Sequence, residues 1–358
     1  MHISRGGFKS RTHNIVLLTY KGHSFFSEVI GDSELIRFLF LRLFNYLKEN
    51  KSIKNFADLY EGVKDWIDSF VYLEPHSSVN SIGCAFDWLR VIVESYYQGS
   101  SIFDILSIPN PKRKFTKVYG SNLYWKASID EFKKQIDDFD FSQTSILKFH
   151  LGRMAPGDEY KYYEVIDKCK NIREFMIDLN CGYNLNQLKE LSNYLDSSDN
   201  LRKKLLWLEE PTYPDLSNQW KNNTSLNLAA GENHHGTQQL SDLLSYEIDW
   251  IMPDFGRTLS LSDFPTLWKK INKNASISFH SYSSGFLAYL SLLVSTVIPL
   301  EKTLYEHDFS ENALLTDITN NALYIKDGYA YIDPNALHDL NLDKIDDSWT
   351  CKTISMES

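Results

Sequence analysis

The spacing of hydrophobic residues divides the chain at about residue 110. Before that point, apolar runs at 14–20 and 24–30 predict two strands, which a turn at Lys21-Gly22 joins into a hairpin. Apolar residues then recur with helical period, and the helices this predicts span residues 33–48, 56–71 and 80–97. Strands followed by helices indicate an α+β unit over residues 1–110, ending at Pro109-Asn110-Pro111.

After that boundary, short apolar runs alternate with amphipathic segments of helical period. The predicted strands span residues 117–120, 146–151, 175–180, 205–209, 226–231, 250–254, 277–280 and 303–306. Parallel strands with helices between them predict a barrel over residues 111–321. Residues 322–333 with Asp327-Gly328 predict a second hairpin, and we expect residues 322–358 to complete the N-terminal unit.

Acidic, basic and amide side chains stand where the predicted barrel strands end. They are Lys148, His150, Asp178, Asn180, Glu209, Glu232, Asp254, His280 and Glu306. Functional side chains of such barrels lie at the C-terminal ends of strands, and alternation places Lys148 and His150 on one face. A single acid there is more often a helix cap. The three carboxylates of Asp178, Glu209 and Glu232 would repel one another unless a cation lay between them.

Composition excludes several classes of partner. A net charge of −10 and the lack of a long basic run argue against nucleic acid. The longest apolar stretch, 286–300, is too short to span a bilayer and predicts a buried helix, and the N-terminus has no signal-peptide pattern. Four scattered cysteines indicate reduced thiols. We therefore expect a soluble, cytoplasmic protein.

The order of the strand-end motifs carries a family resemblance. The motifs are Lys-x-His, Asp-x-Asn, Leu-Glu-Glu-Pro, Gly-Glu-Asn, Met-Pro-Asp, Phe-His and Tyr-Glu. This order resembles the enolase superfamily and its mandelate racemase-like subgroup, also called the mandelate racemase/muconate lactonizing enzyme family. The likeness is strongest over 205–254, and residues 11–28 resemble the first hairpin of the family's capping domain. It implies an α/β fold: a modified (β/α)7β TIM-type barrel, an α+β capping domain and one Mg²⁺.

The resemblance also implies roles for the strand-end residues. Asp178, Glu209 and Glu232 would bind Mg²⁺, and Asp254 with His280 would form an acid/base dyad. Lys148 and His150 would form the opposing base group, and Glu306 would hydrogen-bond the substrate carboxylate. Asn180 and Asn233 are candidates for contact with the substrate, a small-molecule carboxylate. Hard carboxylate oxygens suit Mg²⁺, which fits this assignment.

Two departures from the family pattern limit what is carried over. His150 stands where the family commonly has a second lysine, and Thr258-Leu259 stands where a glycine pair is common. For the neighbouring His234 and His235 we favour an ordinary loop role over metal binding, because a hard-metal site has little use for imidazole.

The reaction expected from this pattern is removal of the proton α to a carboxylate. We expect an Mg²⁺-dependent lyase that dehydrates a sugar acid or related hydroxy acid through an enediolate. A racemase or epimerase is the enzymatic alternative, and a non-catalytic barrel that binds a ligand is the third hypothesis. The sequence leaves open the substrate, its stereochemistry and the oligomeric state, including a homo-oligomer.

Overall fold

The computed structural model describes residues 2–3, 6–7, 13–50, 53–69, 77–271, 275–310, 312–319 and 321–340. Arg11, where the resemblance to a capping domain begins, and Cys351 lie outside these residues. Cys84, Cys169 and Cys181 are free thiols. In the ranges just given, no helix combines the length and apolar character needed to cross a membrane.

The N-terminal unit contains the predicted hairpin and helices. Strands β3 (Asn14–Tyr20) and β4 (His23–Val29) pair antiparallel around Lys21 and Gly22, which both have positive φ, as a two-residue hairpin turn requires. Short strands β1 (His2–Ile3) and β2 (Gly6–Gly7) pair with each other before it. The helices are α1 (Ser33–Asn50), α2 (Phe56–Asp68), α3 (Ser77–Gln98) and α4 (Ile102–Ile105).

Over the described part of residues 115–307, eight parallel strands close into a barrel, because β12 pairs with β5. The strands are β5 (Phe115–Tyr124), β6 (Ile146–His150), β7 (Glu174–Asp178), β8 (Leu205–Glu209), β9 (Leu228–Ala230), β10 (Trp250–Ile251), β11 (Ser276–Phe279) and β12 (Thr303–His307). The predicted TIM-type barrel is confirmed. The first strand, predicted over 117–120, is longer than that range.

Helices connect successive strands. They are α5 (Ile129–Asp137), α6 (Pro156–Lys168), α7 (Leu185–Asp196), α8 (Asp199–Lys204), α9 (Gly236–Ser245), α10 (Phe264–Ile271) and α11 (Gly285–Ser295). The link from β8 to β9 is instead a 3₁₀ helix, Pro214–Asn222. Every residue of α11 is buried, which confirms that the long apolar stretch forms a buried helix.

Alternation along the strands separates an apolar floor from a polar rim inside the barrel. The floor is a cluster of buried side chains: Tyr119, Ile146, Met176, Trp207, Ala229, Met252 and Leu304. Two residues further along five of these strands stand Lys148, Asp178, Glu209, Asp254 and Glu306. Because side chains two apart on a strand share a face, Lys148, Asp178, Glu209 and Glu306 each lie directly above a floor residue of the same strand.

The C-terminal hairpin does not pair with the strands of the N-terminal unit. Strand β13 (Leu323–Lys326) pairs with β14 (Tyr329–Ile332), and β14 pairs antiparallel with the first half of β5. The hairpin thus extends the barrel sheet, with α12 (Ala313–Thr319) leading into it. The following 3₁₀ helix, Ala336–His338, reaches the N-terminal unit, where the His338 and Tyr96 rings lie 5.3 Å apart.

Candidate active site

Three neighbouring strands bring His150, Asp178 and Glu209 side by side at the rim. In the parallel ladder, His150 of β6 is the register partner of Asp178 of β7, and Asp178 is the partner of Glu209 of β8. All three side chains are buried or nearly so. Motifs that follow one another in the sequence therefore lie next to one another at the C-terminal end of the barrel.

Lys148 lies at the centre of the carboxylates and is fully buried. Its Nζ is 2.6 Å from Glu306 Oε1, 2.9 Å from Glu209 Oε1 and 3.9 Å from Asp178 Oδ2. Burial opposes the charge, but Glu209 and Glu306 outweigh it and raise the pKa of Lys148 well above its ordinary value. Lys148 is therefore a fixed cation in this arrangement, and its ammonium is held by acceptors.

Glu209 is buried among charges of its own sign. Burial raises its pKa above the usual value; Lys148 opposes that rise, while Asp178 and Glu232 add to it. The other carboxylate oxygen, Oε2, accepts a hydrogen bond of 3.2 Å from the indole Nε1 of Trp207. Burial and the neighbouring acids together outweigh Lys148, and a further cation would favour the charged form of this carboxylate.

His150 is oriented by strand β5. Its Nε2 lies 2.8 Å from the carbonyl oxygen of Ser121, and Tyr124 stacks on the ring with centroids 4.6 Å apart. A carbonyl only accepts hydrogen bonds, so Nε2 is the donor of this bond. Nδ1 faces the site, 3.0 Å from Asp178 Oδ2 and 3.4 Å from the amide of Asn180.

His280, on the loop after β11, lies between two carboxylates. Its Nδ1 is 2.9 Å from Asp254 Oδ2, and its Nε2 is 2.7 Å from Glu232 Oε2. Burial disfavours the charged ring, but Glu232 and Asp254 raise the pKa of His280 well above its ordinary value. Both nitrogens face acceptors, so His280 is an imidazolium here.

Glu232 and Glu306 complete the ring of acids. Burial works against ionisation of Glu232, but His280 and Arg257 lower its pKa well below the usual range. For Glu306, Lys148 and His280 overcome burial and lower the pKa to about 2. Glu306 Oε2 also accepts a 3.0 Å hydrogen bond from the backbone N–H of Ser281.

Glu210 points away from Glu209, as strand alternation predicts. It is fully buried, and its Oε1 accepts a 3.0 Å bond from the backbone N–H of Gly231. A side chain at Gly231 would meet the backbone of Met252 at 2.6 Å, so only glycine fits this turn. Glu210 therefore anchors the loop that carries Glu232.

The other residues considered from the sequence lie on the loop that carries Glu232 or on the turn after β10. Asn233 Nδ2 lies 3.2 Å from Glu232 Oε1. His234 is buried 3.7 Å from Glu210 Oε1, and His235 Nδ1 is 3.4 Å from the carbonyl of Arg257. Thr258 closes the turn after β10, since its Oγ1 accepts from the N–H of Asp254 at 2.8 Å. The hydroxyl thus gives this turn a bond that a glycine pair lacks.

The donor set suits Mg²⁺ in its chemistry. Asp178, Glu209 and Glu232 supply hard oxygens at the ends of consecutive strands, and Asp178 and Glu232 add to the rise that burial causes in the pKa of Glu209. In the described ranges, however, no three His, Cys, Asp or Glu side chains already converge on a single point suited to a metal. Instead, Glu209 is paired with Lys148, and Glu232 is paired with His280. The residues fit the ion, and binding it requires these ion pairs to rearrange.

Sequence reasoning missed the groups that orient the site. Trp207 could have been found, because it stands two residues before Glu209 and so shares its face. The Ser121 carbonyl could not, because a β-bulge between Gly120 and Leu123 shifts the strand register there. Arg257, whose Nη2 lies 3.6 Å from Glu232 Oε2, follows Asp254 on a loop with no periodic pattern.

A known family model matches more than half of the chain. Residues 131–336 match the family model described as enolase C-terminal domain-like. No curated protein matches the sequence.

Similar solved structures include a cycloisomerase, a dehydratase and a racemase. The 3,6-anhydro-D-galactonate cycloisomerase from Zobellia galactanivorans is 16% identical with a TM-score of 0.74, covering 92% of this chain and 94% of that one. L-talarate dehydratase from Polaromonas sp. JS666, complexed with Mg and L-glucarate, is 14% identical with a TM-score of 0.66, covering 87% and 84%. A racemase from Streptomyces coelicolor A3(2) with bound magnesium is 14% identical with a TM-score of 0.67, covering 92% of both. At these identities the likeness shows the fold.

Proposed function

Because this chain belongs to the enolase superfamily, we propose that it removes the proton α to a carboxylate of a small-molecule substrate. The product of that step is an enediolate, and the full reaction is dehydration of a sugar acid or related hydroxy acid to a 2-keto acid. The enzyme would be an Mg²⁺-dependent lyase. The dehydratase from Polaromonas and the racemase from Streptomyces both contain magnesium.

The observation that carries the proposal is the pair of imidazoles on β6 and after β11. His150 Nδ1 contacts Asp178, and His280 Nε2 contacts Glu232. Each imidazole is therefore next to one of the carboxylates that would hold the cation. A substrate carboxylate drawn to the same place would have a proton-transferring group on either side, which is what abstraction followed by loss of hydroxide requires.

Asp178, Glu209 and Glu232 would hold the ion. Bound Mg²⁺ supplies positive charge that stabilises the dianionic enediolate. The fixed ammonium of Lys148 adds charge beside it, since it already bridges Glu209 and Glu306. Glu306 and Asn233 stand at the same rim and would orient the substrate.

The two histidines would have different roles in the reaction. The Ser121 carbonyl fixes the Nε2–H of His150. With Asp178 turned from Nδ1 to the ion, Nδ1 would be available to take the α-proton, and Asn180 helps to define that position. His280 is held as an imidazolium by Glu232 and Asp254, so it would be ready to protonate the departing β-hydroxyl. A base on one strand and an acid on another fit dehydration.

A racemase or epimerase is the second candidate. The same two imidazoles come from different strands, and they could serve opposite faces of one α-carbon. The similar racemase from Streptomyces has this fold. In that reaction both histidines would alternate between base and acid.

The deciding experiment is a screen of acid sugars and hydroxy acids with Mg²⁺ in D₂O, including galactarate, L-glucarate and 3,6-anhydro-D-galactonate. We expect α-deuterium incorporation together with a 2-keto product, both lost when EDTA removes the metal. Deuterium incorporation with formation of an epimer and no keto acid would establish the racemase instead. Absence of exchange with every acid would overturn proton abstraction and favour a non-catalytic binding protein.

A further inference from the structure

Glu28, on strand β4 of the N-terminal hairpin, binds a loop of the barrel. Its Oε2 accepts two hydrogen bonds from Ser284: 2.9 Å from the backbone N–H and 2.6 Å from the hydroxyl. Ser284 is the N-cap of α11 and follows His280 by four residues. The contact is buried, since Glu28 is 2% exposed and Ser284 is 0% exposed.

The second oxygen of the same carboxylate is also occupied. Glu28 Oε1 lies 2.6 Å from Nδ1 of His13, whose side chain is 5% exposed. A buried carboxylate is stable only when its oxygens are hydrogen-bonded or paired, and here both oxygens are. The carboxylate is therefore part of a closed set of bonds and has little freedom to move away from the loop.

The loop from His280 to Ser284 is fixed at both ends by acids. At its start, the N–H of Ser281 donates to Glu306 at 3.0 Å, and at its end Ser284 donates to Glu28. Glu306 belongs to the barrel, whereas Glu28 belongs to the N-terminal unit. The position of the His280 backbone thus depends on a residue outside the barrel.

Asp254, which pairs with His280, is also linked to the N-terminal unit. Ser81 of α3 accepts a bond from the N–H of Ile30 and donates to the carbonyl of Gly256, whose own N–H donates to Asp254 at 2.7 Å. A Cβ at Gly256 would lie 2.7 Å from Ile30 Cδ1, which shows how closely the two units pack there. Both loops of the Asp254/His280 pair therefore contact the N-terminal unit.

We infer that Glu28 is a positioning residue that sets the imidazole of His280 against Asp254 by holding the backbone at Ser284. The inference rests on the proposed function only for its effect on rate. Glu28 touches neither the candidate metal ligands nor the rim, so its loss should act on the placement of His280 and leave substrate binding nearly unchanged.

The test compares Glu28→Gln with wild type by two measurements. Amide hydrogen exchange of the peptide spanning residues 280–288 should become roughly tenfold faster, and the hydrogen-bonded Nδ1–H signal of His280 in the NMR spectrum should broaden or shift. On an active acid sugar, kcat should fall roughly ten- to a hundredfold with KM within about twofold. Ser284→Ala, which removes one of the two donors, should give a smaller effect in the same direction.

Glu159→Gln is the matched control. Glu159 is another fully buried acid, and it accepts backbone bonds of 2.9, 2.9 and 3.1 Å from Gly152, Arg153 and Met154, on the loop after His150. Its loss should loosen that loop and leave the 280–288 peptide protected.

Two results would overturn the inference: unchanged protection and an unchanged His280 signal in Glu28→Gln, or equal loosening of both loops by either variant. If Glu28→Gln does not fold, Ser284→Ala decides between the same outcomes. If wild type exchanges no substrate proton, the proposed function fails, and the protection and NMR data still decide the role of Glu28.

Discussion

Trp207 and Glu209 stand two residues apart on β8, and the indole Nε1 of Trp207 donates a 3.2 Å hydrogen bond to Glu209 Oε2. This bond joins the apolar floor of the barrel to its polar rim. The indole also packs against Tyr119 and Trp250, with ring centroids 5.8 and 4.6 Å away. The orientation of a candidate metal ligand is therefore set by the packing beneath it.

Trp207→Phe should weaken Mg²⁺ binding while retaining the floor. Phenylalanine keeps aromatic contacts but lacks the N–H donor, and loss of a group that orients a metal ligand typically costs about 10- to 100-fold in affinity. Mg²⁺ titration monitored by thermal unfolding gives the comparison. Trp250→Phe, which changes the same floor without touching Glu209, is the control; equal affinities of Trp207→Phe and wild type would contradict the prediction.

Glu209→Gln should abolish activity and leave the fold intact. The variant loses a charge that Mg²⁺ needs and also relieves repulsion with Asp178 and Glu232. Saturating Mg²⁺ at a hundred times its Kd should stabilise wild type by about 2.7 kcal/mol and the variant much less. Glu210→Gln should retain most of the Mg²⁺ response. An equal response in Glu209→Gln and wild type would exclude Glu209 as a ligand.

His150→Asn and His280→Asn should separate the two chemical steps. If His150 Nδ1 is the base, His280→Asn should still incorporate deuterium at the α-carbon but release almost no keto acid, whereas His150→Asn should do neither. Each loss should cost about 10²–10⁴-fold, so that residual exchange stays measurable by NMR. In a racemase, each variant would instead exchange only one stereoisomer. Full turnover by His150→Asn would mean that His280 serves as both base and acid.

His307 should make the fold sensitive to acid. Burial lowers its pKa to about 4, with Asp308 opposing the shift. In the unfolded chain the ring binds a proton below about pH 6.5, while the folded protein resists protonation until pH 4, so stability falls as the pH drops through that window. The loss is at most about 3.4 kcal/mol. Urea unfolding of His307→Gln between pH 7 and 4 should show a shallower decline than wild type, and parallel curves would refute the prediction.

The sequence predicted most of what alternation and helical period determine. Lys148, Asp178 and Glu209 could be placed at the rim because each stands at or near the end of a predicted strand, where functional side chains of such barrels lie. Their shared edge followed from the parallel order of the strands. The predicted hairpin of the N-terminal unit also followed from local turn chemistry at Lys21-Gly22.

Long-range tertiary contacts were not accessible in this way. The bond from Ser284 to Glu28 joins residues that no periodicity relates, and the Ser121 carbonyl meets His150 only because of a local bulge. The C-terminal hairpin was predicted at the correct residues, but its pairing with β5 was not. The sequence of β5 does not show which strand will pair with its edge. The ion pairs of Lys148 likewise depend on side-chain rotamers rather than on pattern.

Strand β5 pairs with β6, β12 and β14, and this bears on how the protein is made. During translation β5 emerges first among the barrel strands, yet two of its three partners lie beyond residue 302. At ribosomal rates the nascent chain would therefore carry an unsatisfied β5 edge for on the order of tens of seconds. An open edge of this kind is prone to pairing with foreign strands until the last part of the chain arrives.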